Sequence, residues 1–477
     1  MHSWEDFAFG RDLGVDEIPL LPKAHVLRDA EESRRAMRTG FWTRASLLIV
    51  VFSCTTFVTR ADETEAPAGT RSLGPLPFQL VLPREHLLGD WCGTRTWLEE
   101  RGITPTLTFV TDSLGNPTGG SEQGFTTANN VGLDLNFDLE KLGVVEGGSF
   151  LLSMSYRFGG SLSANYIHNV FTVQQVFGGE TFHLINIAYL QKLFDDRVEL
   201  RLGRIATGDD FLVSPYNYVF VQNGFDGNPV SIFFNSPGMT AYPNDTWGAL
   251  VKVRPTARTY IMGGVYNGDP SIRSNDHNGA DFSMDGPLFA IGEVAYQPNS
   301  LPGDRGLLGN YKAGFWYDNS LYTAFSTGAV NRGNWGFYGM FDQVLVRFGE
   351  SASHRGFGVA GSFLASPDQS ISQMPYFFTA ALVTRGIFPS RPRDIIGLGV
   401  VYGDFSNDLQ DFQRRAQQLN PTVGVQSHET VLELTYRLAL LKSALYVQPD
   451  LQYVFRPGGT GRIPDALVLG AQVAVNF

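Results

Sequence analysis

The sequence predicts an all-β fold: a transmembrane antiparallel β-barrel of about 16 strands, led by a short N-terminal helical plug segment. Three observations predict it. Side chains alternate apolar and polar along most of the chain, the polar positions include charges that a dry core would reject, and tight joints between the alternating runs are interleaved with long ones.

Composition narrows the field first. Hydrophobic residues make up 43%, aromatics 13% and charged residues 17% of 477, with 53 Gly and 36 Phe. Soluble domains carry about 25% charge, yet the mean hydropathy is only −0.08. Apolar positions that alternate with polar ones reconcile the two. The net charge of −11 argues against a nucleic-acid partner, which requires a basic face.

Residues 1–36 are polar and unpatterned and read as an upstream extension ahead of a natural start at Met37; a cytoplasmic extension is the alternative. Residues 37–61 have the layout of a secretory signal, with Arg38 and Arg44, the apolar run ASLLIVVFSC (45–54), and cleavage after Ala61. That run is well short of the ~20 residues a membrane helix needs. A lipoprotein at Cys54 is the rival reading, opposed by the bulk of Phe52. Cleavage at Ala61 leaves Cys92 without a partner for an internal disulfide. Residues 62–85, rich in Pro, Gly and acids, read as a linker.

The segment 86–104 contains LLGDWCGTRTWLEERGI, in which Leu88, Trp91, Arg95 and Leu98 share one helical face and Gly102 is a natural stop. It reads either as a surface helix or as one packed against the mouth or lumen of the barrel. Residues 105–477 form that barrel. In SFLLSMSYRFGG, Phe150, Leu152, Met154, Tyr156 and Phe158 face one way and Ser153, Ser155 and Arg157 the other; HETVLELTYRLAL sets Leu432, Leu434, Tyr436 and Leu438 against Glu433, Thr435 and Arg437. A water-filled lumen accepts those charges. Tight joints such as 194–197, 254–258 and 441–443 are separated by stretches such as 222–246 and 403–428, the layout of an outer-membrane barrel, and the run ending at Phe477 suits such a fold. At ~10 residues per strand, sixteen strands fit, with eighteen as the alternative, and a barrel of this size encloses an aqueous channel.

Catalytic readings are weak. GFGVAG (356–361) matches a dinucleotide fingerprint but lies in a strand pattern. Asp134, Asn136 and Asp138 alternate as in a calcium loop, yet Leu139 stands where that loop needs glycine. No His pair has metal-site spacing and no G-x-S-x-G occurs. The chain therefore reads as a channel and not an enzyme.

The stretch 87–120 resembles the N-terminal signature of the carbohydrate-selective porins, the OprB-like family, in which G-D-W-G-G-x-R leads a short helix into the first strand. LRLGRIATGDDF (200–211), AYPNDTWG (241–248), GGVYNG (263–268) and YVQPDLQYVFRPGG (446–459) resemble further blocks in the same order. Cys92 departs from the pattern at its usual glycine. The resemblance implies a sixteen-stranded barrel in the outer membrane of a Gram-negative-type bacterium, without a cofactor, passing mono- and small oligosaccharides by diffusion. The expected partners are sugars and outer-membrane lipid, and the expected state is a monomer or homotrimer. An anion porin for phosphate or organic acids, or a general diffusion porin, is the alternative.

A sugar-selective pore needs groups that replace the water lost by hydroxyls while binding weakly enough to release. Strand parity nominates Arg157, Arg201, Arg254, Glu433 and Arg437, with Asp134 and Asp450 as acidic partners, for the constriction. Trp91 and Trp97 are assigned to packing of the N-terminal helix.

Overall fold

The computed structural model describes residues 85–477 apart from 226, 274–277, 302–303 and 350–354. The expected extension, signal and linker up to residue 84 lie outside the described residues. Sixteen strands run in order: β1 (Ile103–Thr118), β2 (Phe125–Asp138), β3 (Gly148–Gly159), β4 (Thr181–Leu193), β5 (Val198–Ile205), β6 (Thr246–Thr256), β7 (Thr259–Asn267) and β8 (Leu288–Tyr296). They continue as β9 (Gly309–Thr323), β10 (Val330–Arg347), β11 (Gly356–Ala365), β12 (Tyr376–Arg385), β13 (Ile395–Asp404), β14 (His428–Leu440), β15 (Leu445–Phe455) and β16 (Ala466–Asn476). Each pairs antiparallel with the next, and β1 pairs with β16, from Thr108↔Asn476 to Thr118↔Leu467, so the sheet closes and leaves no edge. GFGVAG lies on β11.

The alternation becomes two surfaces. On β3 the residues Ser149, Leu151, Ser153, Ser155 and Arg157 are buried inward, while Tyr156 is 46% exposed on the outside. Leu432, Leu434, Leu451 and Leu469 are likewise outward and exposed. Period two puts neighbours on opposite faces, and closure turns those faces into wall and lumen. The connections at one end are tight, such as 194–197, 257–258 and 441–444; the other end carries 160–180, 206–245, 268–287 and 405–427. The last includes helix Asn407–Leu419, whose Ser406 accepts the Asp408 and Leu409 N–H groups.

The N-terminal segment forms a 3-10 turn, Trp91–Gly93, and helix α1 (Thr94–Glu100). Its described contacts fall on the tight-turn rim, over the β1–β16 seam. Arg95 is 5% exposed, stacks on Trp91 at 4.4 Å, and donates to the carbonyls of Pro105 (3.3 Å) and Phe477. His86 Nδ1 lies 3.1 Å from that same Phe477 carbonyl, and the Leu87 N–H donates to Asn476 at 2.7 Å. The segment thus fastens the two strands that close the sheet.

Candidate functional site

The lumen is defined by two long connections that turn inward. A backbone that leaves the sheet loses its ladder partners, and each buried N–H or C=O then needs a new one. Wall carboxylates supply many of them. The Val170 and Phe171 N–H groups donate to Glu429 (2.9 and 2.7 Å), and the Val176 N–H donates to Asp112 (3.2 Å). Connection 206–245 is held by N–H groups of Leu212 on Glu293 (3.2 Å), Val221 and Gln222 on Glu433 (2.6 and 3.2 Å), and Gly238 on Asp318 (2.8 Å). Ser214 donates its hydroxyl to Asp342. Charge-assisted bonds of this kind are stronger than neutral ones.

Apolar packing completes the dock. Phe220 and Phe225 stack at 4.2 Å, and Phe171 meets Phe377 edge-on at 5.6 Å. The inner face of β13 makes room for them with Gly397, Gly399 and Gly403. A Cβ at Gly399 would stand 2.6 Å from Phe225, and one at Gly403 2.6 Å from Phe171.

The seven residues nominated from the sequence fall into three places. Glu433, Arg437 and Asp450 are buried behind connection 206–245: Arg437 donates to the Tyr218 carbonyl (2.7 Å) and to Gln448 (2.6 Å), and Asp450 accepts from Gln452 (2.8 Å). Arg157 and Asp134 are buried on neighbouring strands β3 and β2, with the Arg157 guanidinium 5.0 Å from the Tyr242 ring centre. Arg201 and Arg254 come together at the wall of one lumenal cavity of about 370 Å³.

That cavity lies toward the tight-turn end. Its walls carry the cations Lys192, Arg201, Lys252, Arg254 and Lys312 and the carboxylates Glu199, Asp209 and Asp210. Arg201 bridges Asp210 at 2.8 Å and Asp209 at 3.7 Å. Lys312 donates to the Val213 carbonyl (2.7 Å) and lies 3.6 Å from Glu293, which also accepts the Tyr260 hydroxyl (2.6 Å). Lys252 and Arg254 stand over the Tyr260 ring at 4.4 and 5.8 Å. Lys252 shares a strand face with Arg254, so the parity that nominated Arg254 also pointed to it. Asp209 and Asp210 belong to an inward connection, where no periodicity operates. Chemically the cavity offers hydrogen-bond donors and acceptors side by side, held by ion pairs to fixed backbone.

The chain is similar to known proteins over most of its length. The family described as "Carbohydrate-selective porin, OprB family" matches residues 122–477. Porin B of Pseudomonas aeruginosa is 27% identical over 82% of this chain and 91% of its own length, and putative porin QuiX of Acinetobacter baylyi is 27% identical over 83% and 93%. The high-pH structure of Pseudomonas putida OprB superposes with a TM-score of 0.77 at 26% identity, covering 83% of this chain and 99% of that one. A closed sixteen-strand barrel, the signature Gly89–Arg95 on its seam and this family match lead to one conclusion: the chain belongs to the OprB family of carbohydrate-selective porins of the Gram-negative outer membrane.

Proposed function

We propose that sugars are selected at the cavity lined by Arg201, Arg254, Lys252, Lys312, Glu199 and Asp210, and that mono- and small oligosaccharides are the size class that passes. The observation that carries this reading is the interleaving of cations and carboxylates around about 370 Å³ of lumen, near the lower bound of the ~300–1,000 Å³ typical of small-molecule sites. A sugar hydroxyl donates and accepts at once, so it bridges a guanidinium and a carboxylate better than an ion of either sign does. Arg201 is already paired with Asp209 and Asp210, and Lys312 with Glu293, which keeps sugar contacts with these groups weak and release fast. Glu433 and Arg437 act here through the loop, by holding residues 218–222 against the wall, and Asp450 through Gln452, which reaches the Val173 carbonyl; Arg157 and Asp134 line the lumen beside Tyr242.

The five cations outnumber the three carboxylates around this cavity, and this imbalance favours anion passage as the second reading. Planar-bilayer recordings separate the two. Under the sugar reading, glucose or maltose produces concentration-dependent current noise, and Arg254→Ala and Lys252→Ala each weaken it several-fold. Block by phosphate with no response to either sugar refutes it in favour of the anion channel.

A further inference from the structure

We propose that the solute this channel selects best is an acidic sugar, a hexuronate whose single carboxylate docks at Arg254 and Lys252 while its ring hydroxyls meet the uncharged polar side chains of the same cavity. The inference rests on the reading that sugars are selected at this cavity, and it names which sugars.

The charges around the cavity are unevenly committed. Arg201 holds Asp210 at 2.8 Å and Asp209 at 3.7 Å, and Lys312 lies 3.6 Å from Glu293. Those pairs involve the carboxylates of connection 206–245 and β8. A different balance holds on β5 and β6. Glu199 is the cross-strand neighbour of Lys192 on β4 and of Lys252 on β6, so one carboxylate serves a row with two lysines. Arg254 follows Lys252 on the same inner face, ~7 Å further along the strand. It closes no ion pair among the described residues, and its guanidinium lies over the Tyr260 ring at 5.8 Å. The surplus of positive charge therefore stands at the end of β6, next to the tight turn 257–258. Such turns face the periplasm in outer-membrane barrels, which puts the surplus on the exit side of the cavity.

Two further features separate a hexuronate from a simple anion. The first is an aliphatic side. Leu151, Ala188 and Leu190 of β3 and β4, with Val213 and Pro215 of connection 206–245, line the same space. Inorganic phosphate has no apolar surface to place there, whereas the C–H face of a sugar ring takes part of this wall out of water. The second is the presence of Asp209 and Asp210 on the lining. Their charge opposes a second negative charge on the solute, so a monocarboxylate is favoured over a dianion. Ser149, Gln297 and Asn310 complete the cavity with uncharged donors and acceptors for hydroxyls. Neutral glucose can use every one of these groups, but only a carboxylate gains the charge-assisted, two-bond contact that a guanidinium offers.

The test uses the full protein in planar bilayers at low ionic strength, where charge is least screened. Solute-induced current noise gives dissociation constants for glucuronate, its neutral amide glucuronamide, glucose and acetate, and heat-modifiable mobility confirms that each barrel is folded. Glucuronate is expected to bind roughly fivefold more tightly than glucose or glucuronamide, and acetate more weakly than all three. Arg254→Gln, which keeps hydrogen-bond donors and removes the charge, should bring the glucuronate-to-glucose ratio close to one. Arg258→Gln, a charge change on the neighbouring turn outside the cavity lining, should leave that ratio as in the wild type. Equal constants for glucuronate, glucuronamide and glucose overturn the acidic-sugar proposal and leave neutral-sugar selection standing. Acetate bound as tightly as glucuronate, or a ratio lowered equally by both substitutions, overturns it in favour of a general attraction for anions at the mouth. Block by phosphate with no response to any of the three sugars removes the sugar reading on which it rests.

Discussion

Cys92 adopts φ 58° and ψ 38°, the left-handed region that costs an L-residue about 1–2 kcal/mol relative to glycine. The signature that this stretch resembles has glycine at this place, and glycine adopts the left-handed backbone without that cost. Cys92→Gly is therefore expected to stabilise the N-terminal turn by about 1 kcal/mol, read as slower amide exchange at Leu87 and Phe477. At Gly399 the direction reverses. With Phe225 2.6 Å from where a Cβ would stand, Gly399→Leu should displace connection 206–245, lower barrel stability by about 1–3 kcal/mol, and shift conductance. Glu433→Ala strands the Val221 and Gln222 N–H groups and should cost about 1–3 kcal/mol in urea unfolding. Strand parity alone assigned Glu433 and Arg437 to the inner face correctly, because alternation determines direction. It did not reveal the connection that covers them, since that segment has no period.

The N-terminal segment behaves as an element because its bonds converge on the β1–β16 seam, two of them on the Phe477 carbonyl. Burial first, and the Arg95 guanidinium second, push the His86 imidazole below its ordinary value. The folded segment thus binds a proton less readily than the unfolded one. Its contribution is complete above the ordinary imidazole value of about 6.5 and is lost as the pH falls through the lowered value. Amide exchange at Leu87, corrected for intrinsic rates, should accelerate between about pH 7.5 and pH 5, and His86→Gln should remove that dependence. Arg95→Ala should loosen the same seam at every pH. Of the four residues read as one helical face, Arg95 and Leu98 lie on the helix, whereas Leu88 and Trp91 belong to the turns before it, where the left-handed Trp91 and Cys92 break the helical path. The place of the segment on the seam was not legible, because it depends on Phe477, hundreds of residues away in sequence.

At the scale of the whole molecule, the two faces were legible in the stretches that became β3 and β14, since a closed antiparallel sheet repeats one pattern, while register shifts interrupt it on strands such as β1, β4 and β10. The bore was less so. Its shape is set by connections 160–180 and 206–245, which are apolar enough to pack and irregular enough to escape any periodic template. Substituting Lys312 by Ala should release the Val213 carbonyl and tilt the cavity toward negative charge, so reversal potentials in a salt gradient should move toward cation preference. An unchanged reversal potential would show that ions pass elsewhere.

The contacts of connection 206–245 reach across the bore to β8, β9, β10 and β14 through Glu293, Asp318, Asp342 and Glu433. In mechanical terms these are internal struts. A hollow cylinder squeezed by its bilayer flattens easily, whereas one braced from within resists. Single-channel traces should accordingly hold one steady open level with few closures. Shortening the connection to enlarge the bore would remove the bracing along with the obstruction, so a wider channel of this type is better sought by trimming individual side chains than by cutting the loop.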